Sequence, residues 1–151
     1  MENLFSSLIS LSSFVVTLGL LVFVHELGHF LVARWCGIRV EKFSIGFGPT
    51  IVTHTRGETE YCISWIPLGG YVKVAGMADV GSEEVRGEPW EYPSKPVWMR
   101  MSVIGAGPLM NFLFAYVAWL LLFVSYGVPT TSSIVGSVLS DMPAASVGIE
   151  P

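Results

Sequence analysis

Two histidines and a glutamate occur together in a stretch of sequence that is otherwise strongly apolar. His25 and His29 are four residues apart with Glu26 directly after the first, and no charged residue occurs from position 3 to position 24. On a helix, side chains at i and i+4 share a face, so both imidazoles can reach a single tetrahedral metal ion. Glu26 projects about 100° away, where a carboxylate can take a proton from a water that the metal acidifies. The spacing predicts a zinc site with His25 and His29 as ligands and Glu26 as the catalytic base.

The alternative interpretation is structural. A lone buried histidine is usually a satisfied core residue, and two histidines at helical spacing would by themselves be weak evidence. Here, however, three ionisable groups lie in a segment long enough to cross a bilayer, where each unpaired polar group costs free energy. A shared divalent cation would satisfy all three, which favours the metal site.

Composition indicates a membrane protein. The 151 residues are 52% hydrophobic and 13% charged, with a mean hydropathy of +0.60, whereas an ordinary globular chain is roughly 25% charged. We therefore expect the lipid bilayer as a partner, and no nucleic acid. Cys36 and Cys62 have no C-x-x-C spacing and are interpreted as reduced packing residues.

The distribution of cations predicts the topology. All eight Lys and Arg residues lie between positions 34 and 100, so the positive-inside rule places segment 34–100 in the cytoplasm and both termini outside. We expect a multi-pass membrane protein. A cleaved signal peptide fits poorly, because no basic residue precedes the apolar run and the run exceeds the usual length of about 7 to 15 residues.

The predicted fold class is an α-helical polytopic membrane protein, with two transmembrane helices and an intervening antiparallel β segment that is cytoplasmic or membrane-associated. The predicted segments are a first transmembrane helix in 1–36, a β-rich glycine-containing segment in 37–77, a polar loop and interfacial segment in 78–100, a second transmembrane helix in 101–127, and an extracytoplasmic piece in 128–151. In that last piece, Ile134–Leu139 resembles a strand and Pro143–Ile149 a short helical turn.

Within 37–77, a two-residue periodicity predicts four short strands, which are separated by glycine-rich bends and by a hairpin turn at Arg56–Glu58. The strands are Val40–Ile45, Ile51–Thr55, Glu60–Ile66 and Tyr71–Val74. Patterning alone leaves two roles equally open. The sheet could be a cytoplasmic cap, or it could present an edge that pairs with an extended peptide.

The second helix contains a buried amide among small residues, in the stretch from Gly105 to Asn111. This pattern is typical of helix packing in membranes. Alternatively, Asn111 faces the metal and donates hydrogen bonds to substrate or to a developing oxyanion. Its distance from Arg100 along the chain is close to that of His25 from Arg34, so the two side chains are predicted at similar depth.

Three motifs in order carry a family resemblance. HELGH in the first helix, GFGP with PLGGYVKVAGM in the β segment, and GAGPLMN in the second helix resemble the site-2 protease family of intramembrane zinc metalloproteases. The similarity is greatest to the RseP-type bacterial enzymes that cleave anti-sigma factors. The final residues, IVGSVLSDMPAASVGIEP, are similar to the start of the periplasmic PDZ domain that these proteins carry.

The resemblance implies a zinc-dependent intramembrane endopeptidase of the bacterial inner membrane, which acts on single-span membrane proteins. His25 and His29 would hold Zn²⁺ and Glu26 would be the base. The β segment would bind substrate as an added strand, and Gly69, Gly70, Tyr71 and Asn111 are the expected substrate-binding residues.

The family's third zinc ligand is an Asp from a later membrane helix, in a motif like LDGG that this sequence lacks. Asp79 and Asp141 do not fit, since one lies in the polar loop and the other outside. We therefore expect the N-terminal portion of a longer protease, inactive on its own.

The rival function is a catalytically silent membrane adaptor that binds peptides. A peptidase with its site in a cytosolic domain is disfavoured, because the cytoplasmic segment 34–100 offers no set of metal ligands beyond the single His54.

Overall fold

The computed structural model describes residues 2–77, 87–128, 137–138 and 143–148. The chain divides into two compact units, Met1–Val117 and Ala118–Pro151. The elements in chain order are helix α1 (Glu2–Trp35), strand β1 (Val40–Arg56), strand β2 (Thr59–Val74), a 3₁₀ turn (Tyr92–Ser94), helix α2 (Val97–Tyr126) and a single helical turn, α3 (Pro143–Ser146).

Both long helices are apolar enough to cross a membrane. The candidate spans are Leu4–Trp35 and Val97–Tyr126, and only 6% of the most apolar window of each is buried. The core helix of a soluble protein would be mostly buried, so these outward-facing apolar side chains suit a lipid environment.

Helix α1 ends where the sequence predicts. Gly37 has φ +64°, and the N–H groups of Gly37 and Ile38 donate to the carbonyls of Arg34 and Ala33 at 3.0 and 2.9 Å. This is a Schellman motif, in which a left-handed glycine satisfies the last carbonyls of the helix.

Helix α2 begins at Val97, earlier than the predicted 101. The prediction used Arg100, the last cation, as the boundary. A charge marks where an apolar run begins, whereas a helix can begin directly after a residue such as Pro96, which cannot donate a backbone hydrogen bond. The residues predicted to form an interfacial segment therefore supply the first turn.

Strands β1 and β2 form the predicted antiparallel sheet, closed by a hairpin at Gly57, which has φ +65°. The prediction of four separate strands was wrong, because two long strands are present instead. Gly46 and Gly48 adopt φ values of +89° and +84° within β1. These left-handed residues bend the strand without ending it.

The bend allows the first part of β1 to match two parts of β2. Lys42 is in register with both Glu60 and Lys73, and Ile45 with both Ile63 and Gly70. The beginning of β1 therefore lies between two stretches of β2. The second of these, Gly70–Val74, pairs with no other strand of the described residues on its outer side, and we call it the edge segment.

The sheet packs against the second half of α1. Phe43 of β1 meets Phe30 of α1 and Tyr61 of β2 at ring-centroid distances of 5.2 and 6.1 Å. Together with other buried residues these rings form one core, whose buried members are Phe30, Ala33, Cys36, Ile38, Val40, Phe43, Val74 and Val103. This packing fixes the sheet beside the helix that carries the two histidines. Cys36 and Cys62 are both free and buried, as predicted.

The predictions for the end of the chain fall mainly outside the described residues. The turn α3 at Pro143–Ser146 agrees with the expected helical turn, whereas most of the strand predicted at 134–139 lies outside the described range. The same holds for residues 78–86 of the polar loop.

Candidate active site

His25 and His29 lie on the same face of α1, one turn apart. Their ring centroids are 4.8 Å apart and the rings meet edge to face at 76°. Both residues are partly buried. The helix therefore brings the two imidazoles together, as the spacing predicts.

Gly107 of α2 faces both imidazoles. A Cβ atom at this position would lie 2.6 Å from Nε2 of His25 and would also clash with Nε2 of His29. The two Nε2 atoms therefore converge on the space left by the missing side chain. This arrangement fits a shared metal ion, since it supplies two nitrogen donors of the type that zinc binds.

Gly28, between the two histidines, lets α2 approach so closely. A Cβ there would lie 2.5 Å from the carbonyl oxygen of Ala106 and 2.9 Å from Cβ of Met110. Small residues allow such close contact between membrane helices. Sequence reasoning recognised the small residues of α2 only as packing and assigned no role to Gly28 or Gly107. The sequence signal for such a contact was that HELGH contains Gly28 and GAGPLMN contains Gly107.

The Nδ1 atoms of both histidines contact α2. Nδ1 of His29 lies 2.7 Å from the carbonyl oxygen of Val103. Because a carbonyl only accepts, His29 donates through Nδ1–H, and Nε2 keeps its lone pair for a metal. Nδ1 of His25 lies 3.3 Å from the side-chain amide of Asn111. The two residues predicted at similar depth are thus in contact.

Glu26 lines a cavity of about 300 Å³ between α1, the edge segment and α2. Its partners in the lining are His29, Gly70, Tyr71, Val72, Val74, Met77, Tyr92, Val103 and Ile104. A Cβ at Gly70 would lie 3.1 Å from Cγ of Glu26 and 2.8 Å from the carbonyl oxygen of Ser44. The absent side chain at Gly70 therefore lets the edge segment lie directly against the Glu26 side chain.

The predicted substrate-binding glycines differ in their surroundings. Gly69 lies under the ring of Phe47, which a Cβ would overlap, and Phe47 stacks on Tyr71 with ring centroids 6.5 Å apart. Gly69 therefore allows aromatic packing within the hairpin. Gly70 and Tyr71 face the cavity that Glu26 lines.

Within the described residues, no group of three or more His, Cys, Asp or Glu side chains could hold a metal ion. His54 lines a different, apolar cavity with Phe23 and Cys62. Asp79 and Asp141 lie outside the described residues. The histidine pair could therefore supply two ligands of a metal site, which would need a further ligand to match the usual catalytic set of three.

The chain resembles known bacterial proteases along most of its length. It is 47% identical over 149 residues to "Regulator of sigma-E protease RseP" of Escherichia coli K12, covering 97% of this chain and 32% of that protein. It is 46% identical over 142 residues to a "Putative zinc metalloprotease" of Vibrio cholerae, covering 92% and 30%. With "Metalloprotease MmpA" of Caulobacter vibrioides the identity is 39% over 162 residues, covering 95% and 41%.

This chain thus spans about a third of the length of these relatives. The model of Peptidase family M50 matches residues 13–147 and so includes both histidines, the sheet and α2. The chain belongs to Peptidase family M50, the site-2 protease family of metalloproteases.

Proposed function

We propose that this chain supplies the zinc-binding and proton-transfer part of an intramembrane endopeptidase that cleaves single-span membrane proteins. The observation that carries the proposal is the convergence of the two Nε2 atoms on the space beside Gly107. Glu26 adjoins this pair and lines a cavity that the edge segment borders. Membership of a metalloprotease family supports the same activity.

In this proposal, His25 and His29 hold the metal, which when bound supplies Lewis acidity to water and to the scissile carbonyl. Glu26 accepts a proton from the attacking water as the new C–O bond forms, and then passes it to the leaving nitrogen as the C–N bond breaks. Gly28 and Gly107 keep α1 and α2 close enough for α2 to orient the imidazoles.

The edge segment positions the substrate. Gly70 and Tyr71 line the cavity beside Glu26, and the outer side of this segment pairs with no other described strand. An extended peptide added there would run past the carboxylate with its backbone hydrogen-bonded. A transmembrane helix must unwind before a protease can reach its backbone, and strand pairing would hold the unwound form.

Asn111 was expected to bind substrate. That role stays a prediction, and the contact of Asn111 with His25 supports a further role in holding that ligand. The bilayer location, with segment 34–100 in the cytoplasm, remains part of the proposal and rests on the cation distribution and the two apolar helices.

The rival is a silent adaptor, which would bind extended peptides without cleaving them. We suggest extending the chain to the length of its relatives and assaying cleavage of a single-span substrate in proteoliposomes, with and without a zinc chelator. The proposal expects cleavage that stops with the chelator and returns when zinc is restored. Substrate binding without cleavage in zinc-replete conditions would favour the adaptor.

A further inference from the structure

The two histidines receive different partners at Nδ1, although the proposed function requires the same state of both rings. His29 donates through Nδ1–H to the Val103 carbonyl, 2.7 Å away. The atom of Asn111 placed nearest Nδ1 of His25, at 3.3 Å, is the amide nitrogen Nδ2. An amide N–H donating to Nδ1 would require the His25 proton on Nε2, which is the atom that faces Gly107 and His29.

The second observation concerns the amide oxygen of Asn111. Oδ1 is buried and has no hydrogen-bond partner among the described residues. The oxygen and nitrogen of an asparagine amide have nearly the same shape, so the hydrogen-bond network decides which way the amide points. Reversing the amide brings Oδ1 to the position beside Nδ1 of His25, where it can accept.

We propose that the amide oxygen of Asn111 accepts a hydrogen bond from Nδ1–H of His25, and so keeps Nε2 of that ring free to bind the metal. This inference rests on the proposed function. Asn111 then does for His25 what the Val103 carbonyl does for His29. It is a positioning residue, because it acts through a ligand.

Both Nδ1 contacts come from one helix, from residues about two turns apart on α2. Val103 and Asn111 lie on either side of Gly107, the residue that faces the two Nε2 atoms. Outer partners of this kind fix the tautomer and orientation of metal-binding histidines, and their loss typically lowers metal affinity about 10- to 100-fold. Helix α2 thus orients both ligands without contributing one.

The tautomer can be read without metal by ¹⁵N NMR of the chain labelled at histidine nitrogens, in nanodiscs, at a pH where both rings are neutral. Wild type should show His25 and His29 both protonated at Nδ1. His25 protonated at Nε2 in wild type would overturn the inference, and this result needs no variant.

Two variants test the role of the acceptor. Asn111→Leu should shift His25 toward the Nε2–H form and leave His29 unchanged, while Asn111→Asp, which keeps an acceptor, should retain the wild-type state. Zinc affinity should fall about 10- to 100-fold in Asn111→Leu only. An unchanged His25 in the leucine variant would refute the role of Asn111.

The test separates this inference from the proposed function. If His25 has the Nδ1–H form in wild type and loses it in Asn111→Leu, but zinc binds to neither protein even when each is extended to include the further ligand, the positioning contact stands and the zinc peptidase proposal fails. If zinc binds equally to both proteins with the same His25 tautomer, the site is metal-binding and Asn111 does not position its ligand.

Discussion

At the scale of residues, Glu26 is the side chain whose chemistry is most specific. It follows His25 directly, and it lines the cavity bordered by Gly70 and Tyr71. In a form extended to include the further ligand, Glu26→Gln should retain zinc and bind substrate but cleave about 10²–10⁴ times more slowly, because glutamine cannot accept the proton. Single-turnover cleavage with zinc analysis would measure this. Wild-type rates would place the base elsewhere, and loss of zinc would make Glu26 structural.

Gly107 offers a second test with a matched control on the same helix. A methyl group at Gly107 would meet Nε2 of both histidines, whereas a Cβ at Gly105 has nothing within 4 Å. Gly107→Ala should therefore displace the imidazoles and weaken zinc binding at least about tenfold, an effect like the loss of an outer partner. Gly105→Ala should bind zinc as wild type does. Competition with a chromophoric chelator measures both, and equal affinities would show that the metal lies elsewhere.

The sequence predicted that the two imidazoles lie together, but it did not predict the glycines that leave space for them. His25, Glu26 and His29 are recognisable because their types and spacing follow from zinc chemistry. The need for glycine at positions 28 and 107 arises from the approach of α2, with Ala106 and Met110 against Gly28. Such a contact joins residues far apart in the chain, and no local pattern specifies it.

At the scale of elements, the edge segment is the part of the sheet suited to pair with substrate. If a peptide adds there as a strand, methylation of its backbone nitrogens should weaken binding at every second position, because successive N–H groups of a strand point to opposite sides. Methylation at each sensitive position should lower the binding affinity about 2- to 10-fold, which corresponds to the net contribution of one hydrogen bond. Calorimetry with a series of N-methylated peptides would measure this.

The unmethylated peptide and the peptides that are methylated at the intervening positions serve as controls. Equal effects at all positions, or none, would make the sheet a cap.

A proline in Glu60–Ile66 would be a poor test, because this stretch is matched on one side by the start of β1 and on the other by the end of β1. It would break the sheet itself.

The elements also show where sequence patterns stop being informative. Period two identified the β segment and the hairpin at Gly57, but glycine-rich bends were interpreted as strand ends. Gly46 and Gly48 instead adopt left-handed φ values inside one continuous strand. Local sequence cannot distinguish a bend from an end, since the difference lies in whether a partner strand continues alongside.

At the scale of the whole molecule, the cation distribution predicts which side of the membrane each segment occupies. Glu58, in the hairpin turn, has a side chain 70% exposed, and Val128, just beyond α2, is 66% exposed. With Glu58→Cys, a membrane-impermeant thiol reagent added outside intact cells should not react, whereas Val128→Cys should. Cys36 and Cys62 are buried, so background labelling should be low. Labelling of Glu58→Cys from outside would refute the topology.

The central claim is that His25 and His29 hold zinc between them. The most direct measurement is the zinc content of the protein, purified under metal-replete conditions in a form extended to include the further ligand, compared with a His25→Ala, His29→Ala double variant of the same form. The two converging Nε2 atoms predict that wild type retains zinc and that the double variant retains essentially none. Equal zinc in the two proteins, whether high or near zero, would contradict the account.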